Sequence, residues 1–317
     1  RALVSMPTKP EYKEQFLRAL PGAEVTFARF SELSDGQLAG FDLVVGNPEE
    51  SVLPKLRGMK LLQLNSSGVA AHYLAYGKQH PELVLCSASG AYGQGISEHM
   101  LAALLALMKR LHQYRDAMQE GAWQSKGSVR SPRDMRVLVV GAGSIGTEFA
   151  KLMRQLGSHT IGLRRGPGGS MEGFDELHTM EQLDSLLPEA DVVALALPET
   201  PQTVNLMDDK RFSLMKEGSY FLNVGRGSAV VQEALLAALR EGRLAGASID
   251  VTTPEPLPPD DPLWQEPNLL LTPHISGYYH LKATHDAVVD IACKNLAAWP
   301  EGPFTSRVDY ETGYRQR

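Results

Sequence analysis

An apolar run that breaks at a glycine turn constrains this chain more than any other stretch. Residues 136–146 read Arg-Val-Leu-Val-Val-Gly-Ala-Gly-Ser-Ile-Gly, and residues 147–156 continue with helical spacing. Buried strand, glycine turn, helix is the order that a dinucleotide site needs. Each glycine has its own reason. Gly141 allows the tight turn, Gly143 lets the backbone approach a pyrophosphate with no Cβ in the way, and Gly146 lets the helix pack close to the strand. The helix start, at Ser144 and Ile145, offers free N–H groups and a positive dipole end to anionic phosphates. A glycine turn alone is common; the strand before it and the helix after it carry the argument.

Strand and helix alternate on both sides of this turn. Short apolar strands are expected at 2–6, 25–28, 42–46, 61–64 and 83–86, with a helix at 11–20 that stops at Pro21-Gly22. That alternation implies a small parallel sheet covered by helices. Residues 96–115 read as one long helix, apolar in its middle and therefore buried. A second series places strands at 136–140, 159–163, 192–197, 220–224, 247–251 and 269–271, the six of a full dinucleotide-binding domain. Thr179-x-x-Gln182 reads as a capping box opening a helix at 179–187, ended by Pro188. Helices are also expected at 231–241 and 278–299, with a Pro- and acid-rich loop at 253–267.

Bulk composition narrows the function. Hydrophobic content of 43% in 317 residues gives ample core for two domains. Lys plus Arg is 31 against 37 Asp plus Glu, a net charge of −6 that speaks against a nucleic-acid surface. The longest apolar run, 101–108, is too short to span a bilayer. Cys86 and Cys293 form neither a disulfide framework nor metal spacing, so reduced thiols in a cytoplasmic protein and no metal site are expected. No signal peptide is legible; the chain begins at Arg1 rather than Met, which leaves an upstream segment open.

Ligands of open parallel sheets bind beyond the carboxyl ends of the strands. Three polar residues follow three successive strands there: Arg226 between two glycines, Glu255 between two prolines, and His274 in Thr272-Pro-His-Ile-Ser-Gly277. Singly, each has an ordinary reading, as a surface charge, a solvated acid or a neighbour of a helix cap. Together, beside a cofactor turn, they form a cation, a carboxylate and an imidazole in one place.

Asn223-Val-Gly-Arg-Gly-Ser228, Asp250-Val-Thr-Thr-Pro-Glu-Pro256 with Pro262-Leu-Trp264, and Thr272–Gly277 resemble the signature segments of the D-isomer-specific 2-hydroxyacid dehydrogenases. The likeness extends to the glycine turn, to Leu197-Pro-Glu-Thr-Pro-Gln-Thr203 and to Ser97-Glu-His99, in the family's order and over nearly the whole chain. It implies an α/β fold of two domains. One is a Rossmann doubly wound parallel sheet at 98–276. The other is a smaller, flavodoxin-like substrate domain formed by both chain ends, 1–97 and 277–317.

By the same resemblance Arg226 binds the substrate carboxylate and polarises the keto oxygen, and His274 donates the proton in reduction. Glu255 holds that histidine and favours its charged form. Backbone N–H groups of a loop at 65–69, with Ser67, Gly68 and Val69, hold the carboxylate as well. The usual acid just after that loop is Ala70 here. Besides the glycine turn, the resemblance places the cofactor against Leu197, Pro198, Thr203 and Val224, and against Asp250, His274 and Gly277.

The chemistry is coherent on its own terms. A guanidinium pairs with a carboxylate through a planar fork. Hydride arriving at a keto carbon makes an alkoxide, which a nearby imidazolium can protonate. An acid on the ribose 2′-OH is expected about 20 residues beyond the glycines of an NAD site. The strand there ends instead in Arg164-Arg165, followed by Gly166-Pro-Gly-Gly169. Two guanidiniums suit a 2′-phosphate, so NADP is expected over NAD.

The expected activity is a 2-keto acid reductase, run in reverse on a D-2-hydroxy acid. The alternative is a non-catalytic nucleotide-sensing scaffold of the corepressor kind, against which the lack of long disordered flanks counts. A formate dehydrogenase would usually carry glutamine in place of Glu255. The substrate side chain is not legible, though Tyr278-Tyr279-His280 stands where a specificity element could. The resemblance and the long apolar helix point to a homodimer, and a two-domain fold to closure about hinges near 90–96 and 277.

Overall fold

The structure is a computed structural model and describes residues 1–317 apart from 167, 169, 170, 280, 314 and 317. Pro167 and Gly169 of the glycine-rich stretch, and His280 of the tyrosine turn, thus lie outside the described residues. The chain divides into two compact units, Arg1–Tyr92 with Tyr279–Arg317, and Gly93–Tyr278. The sequence places these crossings at 97/98 and 276/277.

The first unit opens with β1 (Ala2–Val4), α1 (Pro10–Ala19), β2 (Val25–Phe27), α2 (Asp35–Leu38) and β3 (Leu43–Val45), then β4 (Leu61–Gln63), α3 (Ala71–Gln79) and β5 (Val84–Cys86). Its sheet runs β2-β1-β3-β4-β5, parallel throughout, which is the flavodoxin-like order. Strands β1, β3, β4 and β5 are buried along their length and apolar except for Gln63 of β4, as a sheet covered on both faces requires.

The second unit holds α4 (Gly93–Met108), α5 (Leu111–Gln119), β6 (Arg136–Val140), α6 (Ser144–Gln155), β7 (His159–Arg164), β8 (Glu176–Thr179) and α7 (Leu183–Leu186). It continues with β9 (Val192–Leu195), α8 (Asp209–Leu214), β10 (Ser219–Asn223), α9 (Gln232–Arg240), β11 (Leu244–Ile249) and β12 (Leu269–Leu271). The last helix, α10 (Lys282–Ala297), returns to the first unit. The second sheet runs β12-β11-β10-β9-β6-β7-β8, again all parallel. It is a doubly wound sheet whose order reverses between β6 and β9. Leu138, Val140, Leu195, Phe221 and Ile249 fill its core, each at most 1% exposed. Asp191, just before β9, ties the strand starts together: it accepts from the Arg136 N–H at 3.0 Å and from Lys216 Nζ at 2.7 Å, and pairs with Arg130. Burial opposes its charge, but these partners hold its carboxyl below the ordinary 3.8.

Four expectations need correction. The helix expected at 96–115 is two helices, broken where Arg110 takes a left-handed φ of 56°. Tertiary bonds fix the break: Lys109 Nζ donates to Arg130 O and Arg110 Nε to Ser128 O. The second sheet has a seventh strand, β8, whose half-buried Glu-Leu-His-Thr sequence carries no apolar run. No capping box forms at Thr179, because its side chain makes no cap bond and Gln182 Oε1 lies 3.1 Å from His178 Nδ1 instead. Residues 180–189 are accordingly short 3-10 turns around the single turn of α7, with Pro188 inside the last of them. Finally, α10 starts at Lys282 rather than 278, because Tyr278 N–H turns back to Ile275 O.

Candidate active site

The glycine turn has the geometry its residue types demand. Gly141 ends β6 at φ +112°, and a Cβ there would lie 2.6 Å from Ala196 O. A Cβ on Gly146 would lie 2.3 Å from Gly141 O and 2.8 Å from Val139 Cγ1, so α6 packs against β6 at a distance only glycine permits. Gly143 differs: nothing stands within 4 Å of where its Cβ would be. It is the N-cap of α6 and supplies no side-chain cap, so the first N–H groups, at Ser144 and Ile145, have no acceptor within the helix. This is the cradle a pyrophosphate requires.

At the end of β7 stand Arg164, half-buried, and Arg165, exposed. Arg164 Nε is buried and has no hydrogen-bond partner among the described residues. The acids of this edge are committed at the opposite end of the strand. Asp175 accepts from Thr160 N–H at 2.8 Å, and Glu176 Oε1 lies 2.6 Å from His159 Nε2. Both carboxyls sit below their ordinary range, Asp175 through the Thr160 bonds against the cost of burial, Glu176 through His178 and His159. Asp175 and Glu176 thus make these bonds at the start of β7, away from the carboxyl end where Arg164 stands.

The carboxyl ends of β10, β11 and β12 lie side by side, and the chain beyond them forms a concave pocket of about 250 Å³. Arg226, Glu255 and His274 all line it, together with Thr252, Ser228 and Glu199. Asn223, 1% exposed, folds the turn that carries Arg226: its Oδ1 accepts from Gly225 N–H and its Nδ2 donates to Arg226 O, both at 3.0 Å. Arg226 donates once, from Nη1 to Gly225 O at 2.7 Å, and forms no ion pair among the described residues. Its guanidinium is thus available to an anion.

His274 is held more firmly than its exposure implies. Its side chain is 48% exposed, yet Nδ1 lies 2.8 Å from Glu255 Oε2. Glu255 Oε1 in turn accepts from Thr252 N–H at 3.0 Å, so the carboxylate is oriented by backbone. The histidine backbone takes a left-handed φ of 53°, a strained state for a side chain of this size. Asp250 fixes it. Its carbonyl accepts from His274 N–H at 2.7 Å, and its carboxylate accepts from Thr272 Oγ1, Ile275 N–H, Ser276 N–H and Ser276 Oγ. The Nδ1 bond leaves His274 Nε2 as the nitrogen that can act on a ligand.

Other residues expected at the cofactor are placed as follows. Leu197 packs beside Gly141, and its carbonyl would lie 2.5 Å from a Cβ on Gly225. Pro198 O accepts from Thr203 Oγ1 at 2.8 Å, so the buried Thr203 hydroxyl closes the 198–203 loop from inside. Val224 N–H donates to Leu195 O at 3.1 Å, which leaves Val224 half-buried at the mouth of the sheet with Gly277 equally half-buried. Sequence reasoning missed Glu199, Ser228 and Thr252. Ser228 Oγ donates to Glu199 Oε2 at 2.5 Å, across the pocket wall. Only the Leu197–Thr203 motif itself marked that loop.

In the first unit the loop 65–69 leaves β4 at its carboxyl end and leads into α3. Ser67, Gly68 and Val69 are half-buried there, and Ala70, the N-cap, contributes no side-chain bond. Asn65 is gripped twice, its carbonyl by Tyr92 Oη and its side-chain Nδ2 by Tyr279 Oη. Burial raises both phenols, which stay protonated.

The model of the D-isomer specific 2-hydroxyacid dehydrogenase NAD binding domain matches residues 101–276. The chain belongs to this family. A family protein from Aeromonas salmonicida is 31% identical; the match covers 98% of this chain and 99% of that one with a TM-score of 0.85. A D-isomer specific 2-hydroxyacid dehydrogenase from Xanthobacter autotrophicus, solved with NADPH and MES, is 27% identical over 99% of each chain at 0.82. An NADPH-dependent glyoxylate/hydroxypyruvate reductase from Sinorhizobium meliloti, solved with NADP and sulfate, is 25% identical over 99% of each at 0.81. The family is one of NAD(P)-dependent 2-hydroxyacid dehydrogenases, and the second unit is its nucleotide-binding domain. Among the described residues no cluster of His, Cys, Asp or Glu could hold a metal, and no helix is long and apolar enough to cross a membrane.

The glycine contrast is testable. Gly143→Ala adds a methyl in open space and should change stability by at most about 1 kcal/mol while weakening nucleotide binding about tenfold. Gly146→Ala forces α6 off β6 and should cost about 1–3 kcal/mol. Thermal unfolding with nucleotide titration checks both; equal effects on stability would contradict the assignment.

Proposed function

We propose that this chain is a 2-keto acid reductase that uses NADPH and forms a D-2-hydroxy acid. The observation that carries the reading is one pocket holding an unpaired Arg226 and a His274 oriented by Glu255. The substrate carboxylate pairs with the Arg226 guanidinium, whose planar fork also reaches toward the adjacent keto oxygen. Bound reduced nicotinamide supplies the hydride. As the electron pair moves to the keto carbon, charge grows on the oxygen, and His274 Nε2–H donates its proton there. Glu255 keeps Nδ1 occupied and fixes the ring so that Nε2 faces the ligand. Oxidation of the hydroxy acid runs the same steps backward, with His274 as base.

Preference for NADPH rests on Arg164. A buried guanidinium N–H without a partner is costly, and a 2′-phosphate oxygen satisfies it. An acid would be repelled by that phosphate, and the sequence at the end of β7 reads Arg164-Arg165-Gly166. Cytoplasmic residence fits the two free cysteines, which burial pushes up to about 12 for Cys86 and about 11 for Cys293. A homodimer fits the segment around α5, where Leu111, Met118 and Trp123 stand exposed.

Three outcomes are expected. His274→Asn should lower kcat about 10²–10⁴-fold with NADPH affinity nearly unchanged; activity surviving that change would remove His274 as the acid. Arg164→Asp should shift the NADPH/NADH ratio of kcat/KM at least about tenfold toward NADH; an unchanged ratio would leave Arg164 a solvated surface charge. Light scattering should give twice the chain mass, and Trp123→Glu should lower it to one; a wild-type monomer would contradict the dimer.

A further inference from the structure

We infer that His99 is a positioning residue that acts on His274 through Thr272 and Asp250. The inference rests on the reading of His274 as proton donor. His99 belongs to Ser97-Glu98-His99 in α4, a helix that packs along β10 and β11, and it is half-buried. Its Nε2 lies 3.3 Å from Thr272 Oγ1. Thr272 has one hydroxyl proton, and that proton goes to Asp250 Oδ1 at 2.5 Å. At the first contact Thr272 can therefore only accept, so His99 Nε2 carries the hydrogen. A directed relay results: His99 donates to Thr272, and Thr272 donates to Asp250.

The end of this relay is the group that holds the catalytic loop. Asp250 is 1% exposed, and it binds the backbone N–H groups of 274, 275 and 276 through its carbonyl and both carboxylate oxygens. The loop it holds contains His274 at φ 53°, a strained backbone state that persists only while its surroundings over-determine it. One hydrogen bond is comparable to the cost of one such residue. Freeing the Thr272 hydroxyl lets it turn from Asp250 Oδ1, weakens the grip on Ile275 N–H, and releases the strain. The imidazole then leaves its 2.8 Å contact with Glu255. Displacement of a reacting group by about an ångström is enough for a large loss of rate.

The full-length chain tests this with hydrogen exchange and kinetics on the same variants. His99→Leu and Thr272→Val should each speed exchange in the 272–277 peptide about tenfold, with α4 and the sheet strands unchanged. Their kcat should fall about tenfold at constant KM for NADPH. His99→Gln keeps an N–H donor and should restore both readouts to within about threefold of wild type. The double variant should be no worse than either single one, as expected for one path. Wild-type exchange at 272–277 in His99→Leu would overturn the inference, as would acceleration spread evenly over the second unit or a failure of glutamine to do better than leucine. A wild type without turnover would defeat the reductase reading, and the exchange data would still decide the role of His99.

Discussion

A buried carboxylate holds the candidate site together. Asp250 leaves β11 at the carboxyl edge of a parallel sheet and spends both oxygens on the loop that follows β12. Without that grip, a histidine at positive φ would relax to an ordinary backbone state, and its ring would lose Glu255. The cost of burying the acid is met by four donors, a saturation that makes the loop rigid rather than merely close. Arg226 is positioned by the same logic one strand away, where the buried Asn223 side chain closes the turn on itself. Two buried polar side chains thus aim the two groups that the proposed chemistry needs.

The division of labour follows from parallel-sheet architecture. Strands β6 and β9 are the parallel neighbours between which the sheet order reverses, and the glycine turn follows β6 there with open space at Gly143. In the proposed reading, the nucleotide is met by backbone, through helix N–H groups and the absence of Cβ atoms, and the proton is moved by side chains beyond the neighbouring strands. The pocket also carries Glu199, which accepts from Ser228 Oγ, while Arg226 donates to Gly225 O. Specificity between NADPH and NADH is then a separate, local question at the end of β7, decided by whether guanidinium or carboxylate stands there.

Much of this was legible in the residues. The glycine turn could be read because each glycine has a distinct steric reason, and the reasons reappear as contacts that a Cβ would violate at Gly141 and Gly146 and as open space at Gly143. Arg226, Glu255 and His274 could be read because strand ends are where such sheets bind ligands. What escaped was long-range or featureless. The break at Arg110 is made by bonds to 128 and 130, beyond any helical window. The polar edge strand β8 has no apolar period to detect. The path from His99 to Asp250 joins residues far apart in the chain, and the motif containing His99 had no visible task until Thr272 was seen between them.

The central claim is that one pocket reduces 2-keto acids with a 2′-phosphorylated nicotinamide cofactor. Steady-state turnover of the wild-type chain on a panel of 2-keto acids (glyoxylate, hydroxypyruvate, pyruvate, branched and aromatic), each with NADPH and with NADH, tests it most directly. The account predicts turnover on at least one of them, faster with NADPH than with NADH. Nucleotide binding without turnover on any member of the panel would contradict it.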